Sequence, residues 1–353
     1  MTDAELAALA AEIRPADEEA RTATQAALDA KTKPRGSLGR IEALAAQIGA
    51  IRGTPAPGRL GAAIVLAAGD HGYAERGVSA YPPEVTGQML ATFASGGAAI
   101  GVLAREAGAR LVVVDAGVRM PVDHPAVRPL RLGPGTADAT AGPAMSRENA
   151  LAGIAAGVAL AEEVIADGAG IVATGEMGIG NTTAAAAVCA ALLPAEPEAV
   201  CGRGTGVDDA GLARKVDAVR LAIAANRPDP ADPVGALAAV GGFELAVLTG
   251  VCLGGARAGA VVVLDGYVTG AAALVAARLA PAGVGRMVAS HRSPEPGHAP
   301  ASVTPASSNV AMSARSASAA SRSGSASAAP LPSPSRRPRS RSGSSPRSAR
   351  TSA

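Results

Sequence analysis

Tryptophan is absent from this chain of 353 residues, and the aromatic side chains amount to three tyrosines and two phenylalanines. Its core must therefore be built from Ala, Val, Leu and Ile. Hydrophobic residues make up 48% of the sequence, enough for one large core or two modest ones. Cysteine is scarce too. Cys189, Cys201 and Cys252 stand at unrelated spacings among small apolar residues, which supports neither a disulfide framework nor a metal site and points to buried thiols. No apolar run reaches the roughly 18 residues that span a bilayer. The opening Met1-Thr2-Asp3-Ala4-Glu5 lacks a basic, then apolar, signal pattern, so a cytoplasmic protein with no membrane partner is expected. Acidic residues vanish after Glu295, and from Ala299 onward there are eight arginines. The rest of the chain holds 24 basic against 30 acidic residues. A net-acidic body argues against nucleic acid as a partner.

What is present is organised around Gly175-Glu176-Met177-Gly178-Ile179-Gly180-Asn181-Thr182-Thr183, which follows the apolar run Gly170 to Thr174 and precedes the Ala-rich run to Leu193. This order reads as strand, loop, helix. Gly178 and Gly180 let the backbone approach an anion, the first N–H groups of the helix lack intrahelical partners, and Asn181 or Thr182 can cap them or bind a ligand. Glu176 would repel a phosphate, so it is expected to face another part of the ligand, such as a ribose hydroxyl. A tight turn with no ligand is the alternative.

Residues Asp3 to Ala30 read as two helices or one kinked at Pro15. A basic loop, Lys31 to Arg40, follows, with Ser37 expected to cap a helix from Ile41 to Ile51. Five apolar strands are expected, at Ala62 to Ala68, Leu111 to Val114, Gly170 to Thr174, Ala260 to Leu264 and Met287 to Ala289. They end in Asp70-His71, Asp115, Glu176, Asp265 and Ser290-His291. Continuous apolar strands separated by helices imply a parallel sheet covered on both faces, with a ligand crevice outside its carboxyl ends. Between the first two strands, Ser79 and Tyr81 lie on a loop before a helix carrying Gln88; a flat heteroaromatic ligand would suit them, although Tyr81 can equally cover a helix end. Arg128 to Pro143 reads as loop, and Ser146 caps a helix to about Ala166. A second glycine-rich loop, Gly204-Thr205-Gly206, again offers N–H groups to an anion, with Asp208 or Asp209 capping the helix behind it. Lys215 is the only lysine after position 33, a compact charge suited to a phosphate, or else a surface residue.

Taken together, Lys33-Pro34-Arg35-Gly36-Ser37-Leu38-Gly39, Asp70-His71-Gly72, Gly77 to Pro82, Gly175 to Thr183, Gly202 to Gly206, Gly241-Gly242-Phe243-Glu244 and Ser290-His291-Arg292-Ser293 resemble the nicotinate-nucleotide:dimethylbenzimidazole phosphoribosyltransferases, the CobT family of cobalamin biosynthesis. The resemblance covers about residues 30 to 298. It implies an α/β fold with a Rossmann-like parallel sheet flanked by helices, a smaller helical part formed from both termini, and a homodimer. It implies a pentosyl transfer from nicotinate mononucleotide to 5,6-dimethylbenzimidazole, giving α-ribazole 5′-phosphate and nicotinate, with no cofactor and no metal. By the same resemblance Ser79, Tyr81 and Gln88 line the benzimidazole pocket. The loops Glu176 to Thr182 and Gly204 to Gly206, with Lys215 and Ser290, hold the ribose phosphate.

The resemblance stops after Pro296-Gly297-His298. Family members continue into Leu-rich helices and a Gly-Glu-Gly-Thr-Gly segment whose Glu is the catalytic base; residues 299 to 353 contain no acidic residue and are dominated by Ser, Ala, Pro and Arg. Such composition is expected to stay disordered, and the GC-rich codon bias implied by Arg, Ala and Gly without Lys is what a frameshifted reading of the family's C-terminus would give; a genuine basic tail that binds RNA or acidic partners is the alternative. The expected division is a helical part over 1–60, an α/β transferase domain over 61–298 and this tail. Glu176, Asp70 and Asp265 remain as acidic candidates. Glu176 is the one placed on the ligand loop, and reduced turnover, or a protein that binds nucleotide and benzimidazole without turnover, is expected. A P-loop kinase is disfavoured because the central loop lacks Gly-Lys-Ser/Thr.

Overall fold

The computed structural model describes residues 1–301; the tail expected over 299–353 therefore falls almost wholly outside the described residues. Six parallel strands form one sheet in the order β3-β2-β1-β4-β5-β6: β1 Gly61–Gly69, β2 Ala109–Gly117, β3 Val127–Pro129, β4 Ala169–Met177, β5 Val261–Leu264 and β6 Met287–Ala289. Helices connect them in the order α1 Asp3–Glu12, α2 Glu18–Asp29, α3 Arg40–Arg52, α4 Val85–Ala94, α5 Ala99–Ala107, α6 Arg147–Ala166, α7 Asn181–Leu192, α8 Pro197–Val200, α9 Asp209–Asn226, α10 Pro233–Val240, α11 Phe243–Arg257 and α12 Tyr267–Leu279. The α/β class and the parallel sheet follow the sequence reading. Two expectations need correction. The stretch read as loop from Arg128 begins inside the short edge strand β3, which pairs Val113 with Val127. Ser37 does not cap α3; the N-cap is Gly39, whose φ of 53° turns the chain into the helix without a side-chain bond.

Side chains alternate across the strands, so β1 feeds two cores. Val65 and Ala67 pack with α6 and α11, whereas Leu66 and Ala68 pack with Leu90 and Phe93 of α4. Where aromatic bulk is missing, backbones come close instead. A Cβ on Gly157 of α6 would lie 1.9 Å from the Val247 carbonyl of α11, and one on Gly250 of α11 would lie 2.0 Å from that of Ile154. Every residue of α11 from Phe243 to Ala256 is buried. Helix α6, long and apolar, has its inner face spent on this contact. On the other side α3 stands over β4 to β6 and leaves an apolar groove of about 460 Å³ lined by Ile41, Leu44, Ile171, Val263 and Val288, with Ser290 at its edge.

The N-terminal helices are fastened to this body by arginines. Arg147 donates to Asp3 and Asp232 at 2.7 Å each, and Arg286 donates to the carbonyls of Arg14 and Ile51 at 2.9 and 2.8 Å. In the basic loop, Lys33 reaches the buried Glu42 at 2.8 Å, so that lysine is structural.

Candidate active site

The strand order reverses between β1 and β4, which pair directly with Ala67 opposite Glu176. A parallel sheet opens a crevice at such a point, beyond the carboxyl ends of the two strands. The chain places Asp70 and His71 after β1 and Glu176 at the end of β4. Gly178 then passes so close to β1 that a Cβ there would stand 2.3 Å from the Gly69 carbonyl. Gly180, at φ 94°, turns the chain into α7. Neither Asn181 nor Thr182 caps that helix: Asn181 donates its side-chain amide to Glu176 Oε2, and Thr182 Oγ1 accepts from Lys215. The Glu176 carboxyl is lifted from its ordinary 4.5 to about 7, by burial first and then by the charges of Glu244 and Asp265, against the Asn181 hydrogen bond and His71. A carboxyl balanced near neutrality can take up and release a proton at little cost.

The second glycine loop meets the first at Lys215. Its Nζ donates to Thr182 Oγ1 at 2.9 Å, and a Cβ on Gly204 would lie 2.8 Å from both atoms. The surface alternative for Lys215 is overturned, since the residue is 1% exposed. Burial depresses its pKa, opposed by Glu295. Glu295 Oε1 in turn accepts the Gly204 N–H at 2.8 Å, and the Gly206 N–H turns back to the Arg203 carbonyl at 2.9 Å. Two of the amides expected to receive an anion are thus engaged within the protein. Lys215 is the cation at this junction. Thr205 sits on the exposed tip of the loop.

The aromatic flank is tied to the same crevice. Ile179 donates its N–H to Thr86 Oγ1 at 3.1 Å, which fixes the first turn of α4 against the central loop, and Arg214 of α9 donates to the Gly77 carbonyl at 2.9 Å. Ser79 accepts the Tyr81 N–H at 3.2 Å, and Tyr81 is 55% exposed, open to a planar partner. Gln88 is exposed on α4. At the ends of β5 and β6, Ser290 Oγ donates to the Asp265 carbonyl at 3.2 Å and lies 3.0 Å from His291 Nδ1. The second expected strand end, Asp115, is spent elsewhere, accepting from Arg131 and from the Val118 N–H.

Four contributors escaped the sequence reading in these roles: Thr86, Glu295, His71 and Glu244. His71 Nε2 lies 3.0 Å from Glu244 Oε1, and both side chains are fully buried. Burial alone would lower the His71 pKa, but Glu244, Asp70 and Glu176 outweigh it and raise it. Both residues sit in runs noticed in the sequence, yet only the fold brings the start of α11 to the end of β1. The three cysteines are free and buried, each thiol pushed up to about 12 mainly by burial. Among the described residues no group of three or more His, Cys, Asp or Glu side chains is arranged to hold a metal ion.

Residues 13–304 match the family model described as phosphoribosyltransferase. The nicotinate-nucleotide–dimethylbenzimidazole phosphoribosyltransferase of Roseiflexus sp. (strain RS-1) is 52% identical over 289 residues, covering 82% of each chain, and that of Salinispora tropica is 45% identical over 304 residues, covering 81% of this chain and 83% of its own. The crystal structure of CobT from Thermus thermophilus superposes with a TM-score of 0.76 at 45% identity, covering 79% of this chain and 84% of that one. The chain belongs to the nicotinate-nucleotide–dimethylbenzimidazole phosphoribosyltransferase (CobT) family, a family of pentosyl-transferring enzymes.

Proposed function

We propose that this chain transfers the 5-phosphoribosyl group of nicotinate mononucleotide to 5,6-dimethylbenzimidazole, forming α-ribazole 5′-phosphate and nicotinate for the lower ligand of cobalamin. The observation that carries the reading is the junction at the sheet's switch point, where Glu176 pairs with Asn181 on the first glycine loop and Lys215 of α9 stands between Thr182 and Gly204, joining that loop to the second. The bond from C1′ to the pyridinium nitrogen breaks with its electron pair leaving on nicotinate, so the leaving group requires no acid. The unprotonated benzimidazole nitrogen forms the new bond to C1′ with its lone pair, and the proton on the other ring nitrogen must go to a base. Lys215 holds the phosphate as a point charge, with Ser290 and the loop from Gly178 to Thr182 around the ribose, while Ser79, Tyr81 and Gln88 hold the benzimidazole. Glu176, with its carboxyl near neutrality, accepts the proton. Much of the gain comes from holding the two reactants in line.

The Gly-Glu-Gly-Thr-Gly segment that the resemblance calls for does not occur in the sequence. With Glu176 left to take the proton, turnover falls by roughly 10² to 10⁴ relative to a site with a dedicated base. The reading includes a cytoplasmic homodimer, in favour of which Ile41 and Leu44 stand exposed along the groove beside α3. The test is chromatographic detection of α-ribazole 5′-phosphate from the two substrates, by this chain and by one carrying a Gly-Glu-Gly-Thr-Gly C-terminus from a relative. Slow product formation that the added segment accelerates is expected. Turnover unchanged by the addition would overturn the assignment of the missing base, and no product from either protein would overturn the transferase reading.

A further inference from the structure

Beneath the loop that carries Glu176 lies an ionisable pair for which the transfer itself has no use. His71 follows β1 and Glu244 is the second residue of α11, with Nε2 and Oε1 3.0 Å apart and no exposed surface on either side chain. The chain keeps glycine on three sides of them. A Cβ on Gly242 would stand 2.4 Å from His71 Cε1, one on Gly69 would stand 2.9 Å from Glu244 Oε2, and one on Gly178 would stand 3.1 Å from His71 Nε2. Gly178 belongs to the ligand loop, and Gly180 also passes close to His71. The imidazole is therefore the floor of that loop.

A buried ion pair is a weak source of stability, because taking two charges out of water is costly and a well-packed apolar pair of similar volume often does as well or better. This one sits where its charges are felt by a reacting group. Around Glu176 stand Glu244 from α11, Asp265 beyond β5, His71 after β1 and the Asn181 amide from α7. Around His71 stand Glu244, Asp70 and Glu176. When protonated, His71 is a cation among several acids, and the two members of the pair act on Glu176 in opposite senses.

We propose that His71 and Glu244 are positioning residues that act through Gly178 and Glu176: the ring supports the loop backbone, and the two opposed charges set the protonation state of the Glu176 carboxyl during turnover. This deepens the reading of Glu176 as proton acceptor and rests on it. Removing Glu244 leaves Glu176 as the main partner of the imidazolium and favours the carboxylate. Removing His71 leaves the acids without a cation and favours the carboxylic acid.

The test uses full-length protein labelled with ¹³C at the glutamate carboxyls, the Glu176 resonance being identified by its loss in Glu176→Gln. Glu244→Gln should move the Glu176 titration midpoint down by about one pH unit and His71→Gln should move it up by about as much. The acidic limb of the kcat profile should follow the same displacements, which a merely structural pair would not produce. Unmoved midpoints, or midpoints displaced in the same direction, would overturn the proposal. The wild-type protein supplies the same test should either variant fail to fold. ¹⁵N-imidazole spectra should show His71 protonated at pH 7, with an inflection in its titration at the Glu176 midpoint; a neutral His71, or independent curves, would overturn the proposal. If Glu176→Gln retains full turnover, the acceptor role falls, and the NMR midpoints still judge whether the pair sets the carboxyl's state.

Discussion

A carboxyl held near neutrality in a folded protein should betray itself in stability before any substrate is added. Glu176 is lifted from 4.5 to about 7, chiefly by burial. The unfolded chain releases this proton near pH 4.5 while the folded chain keeps it until about pH 7. Stability is therefore greatest below the unfolded value, falls as pH rises through that window and levels off above it. At about 1.4 kcal/mol per unit the full penalty has a ceiling of about 3 kcal/mol; the side chain is only partly buried by its surface, and screening by water brings the expected figure to roughly 1 to 2 kcal/mol. Glu176→Gln retains an oxygen for the Asn181 amide and cannot ionise. In urea unfolding followed by circular dichroism, the variant should match the wild type near pH 4.5 and exceed it by that amount at pH 8. A variant weaker than wild type at every pH, or a difference that does not grow with pH, would refute the reasoning.

Lys215→Met should weaken binding of nicotinate mononucleotide by about 10- to 100-fold, the worth of a charge-assisted contact, while leaving dimethylbenzimidazole binding and the thermal midpoint unreduced; calorimetric titration of each ligand checks this. Gly157→Ala would place a methyl 1.9 Å from the Val247 carbonyl, and the resulting overpacking between α6 and α11 should cost about 3 kcal/mol or more, read as a lowered melting temperature. Asp208→Ala removes the carboxylate that accepts the Gly211 N–H at 2.7 Å and caps α9, at a cost of about 1 kcal/mol in chemical unfolding.

Five of the six strands were legible because each is a continuous apolar run ending in polar residues or glycine, as strands buried on both faces are. The sixth, β3, has three residues, of which only Val127 is buried, and offers no pattern to read. Ser146 and Asp208 announced their helices because their side chains accept the N-terminal amides. The start of α3 did not announce itself, because Gly39 makes that turn with its backbone alone. The two glycine loops were visible in the sequence, but their meeting was not. The contact of Lys215 with Thr182, the hold of Glu295 on Gly204 and the burial of His71 against Glu244 all join residues far apart in the chain. Composition left Lys215 open between a phosphate ligand and a surface residue, and only the fold, which buries it, removes the surface reading.

The central claim is that one mononucleotide sits where the two glycine loops meet. It is tested most directly by a crystal structure of the full chain with nicotinate mononucleotide. The account predicts the phosphate within about 3 Å of Lys215 Nζ and the ribose against the loop from Glu176 to Thr182. A nucleotide bound in the apolar groove beside α3, or with its phosphate away from Lys215, would contradict it.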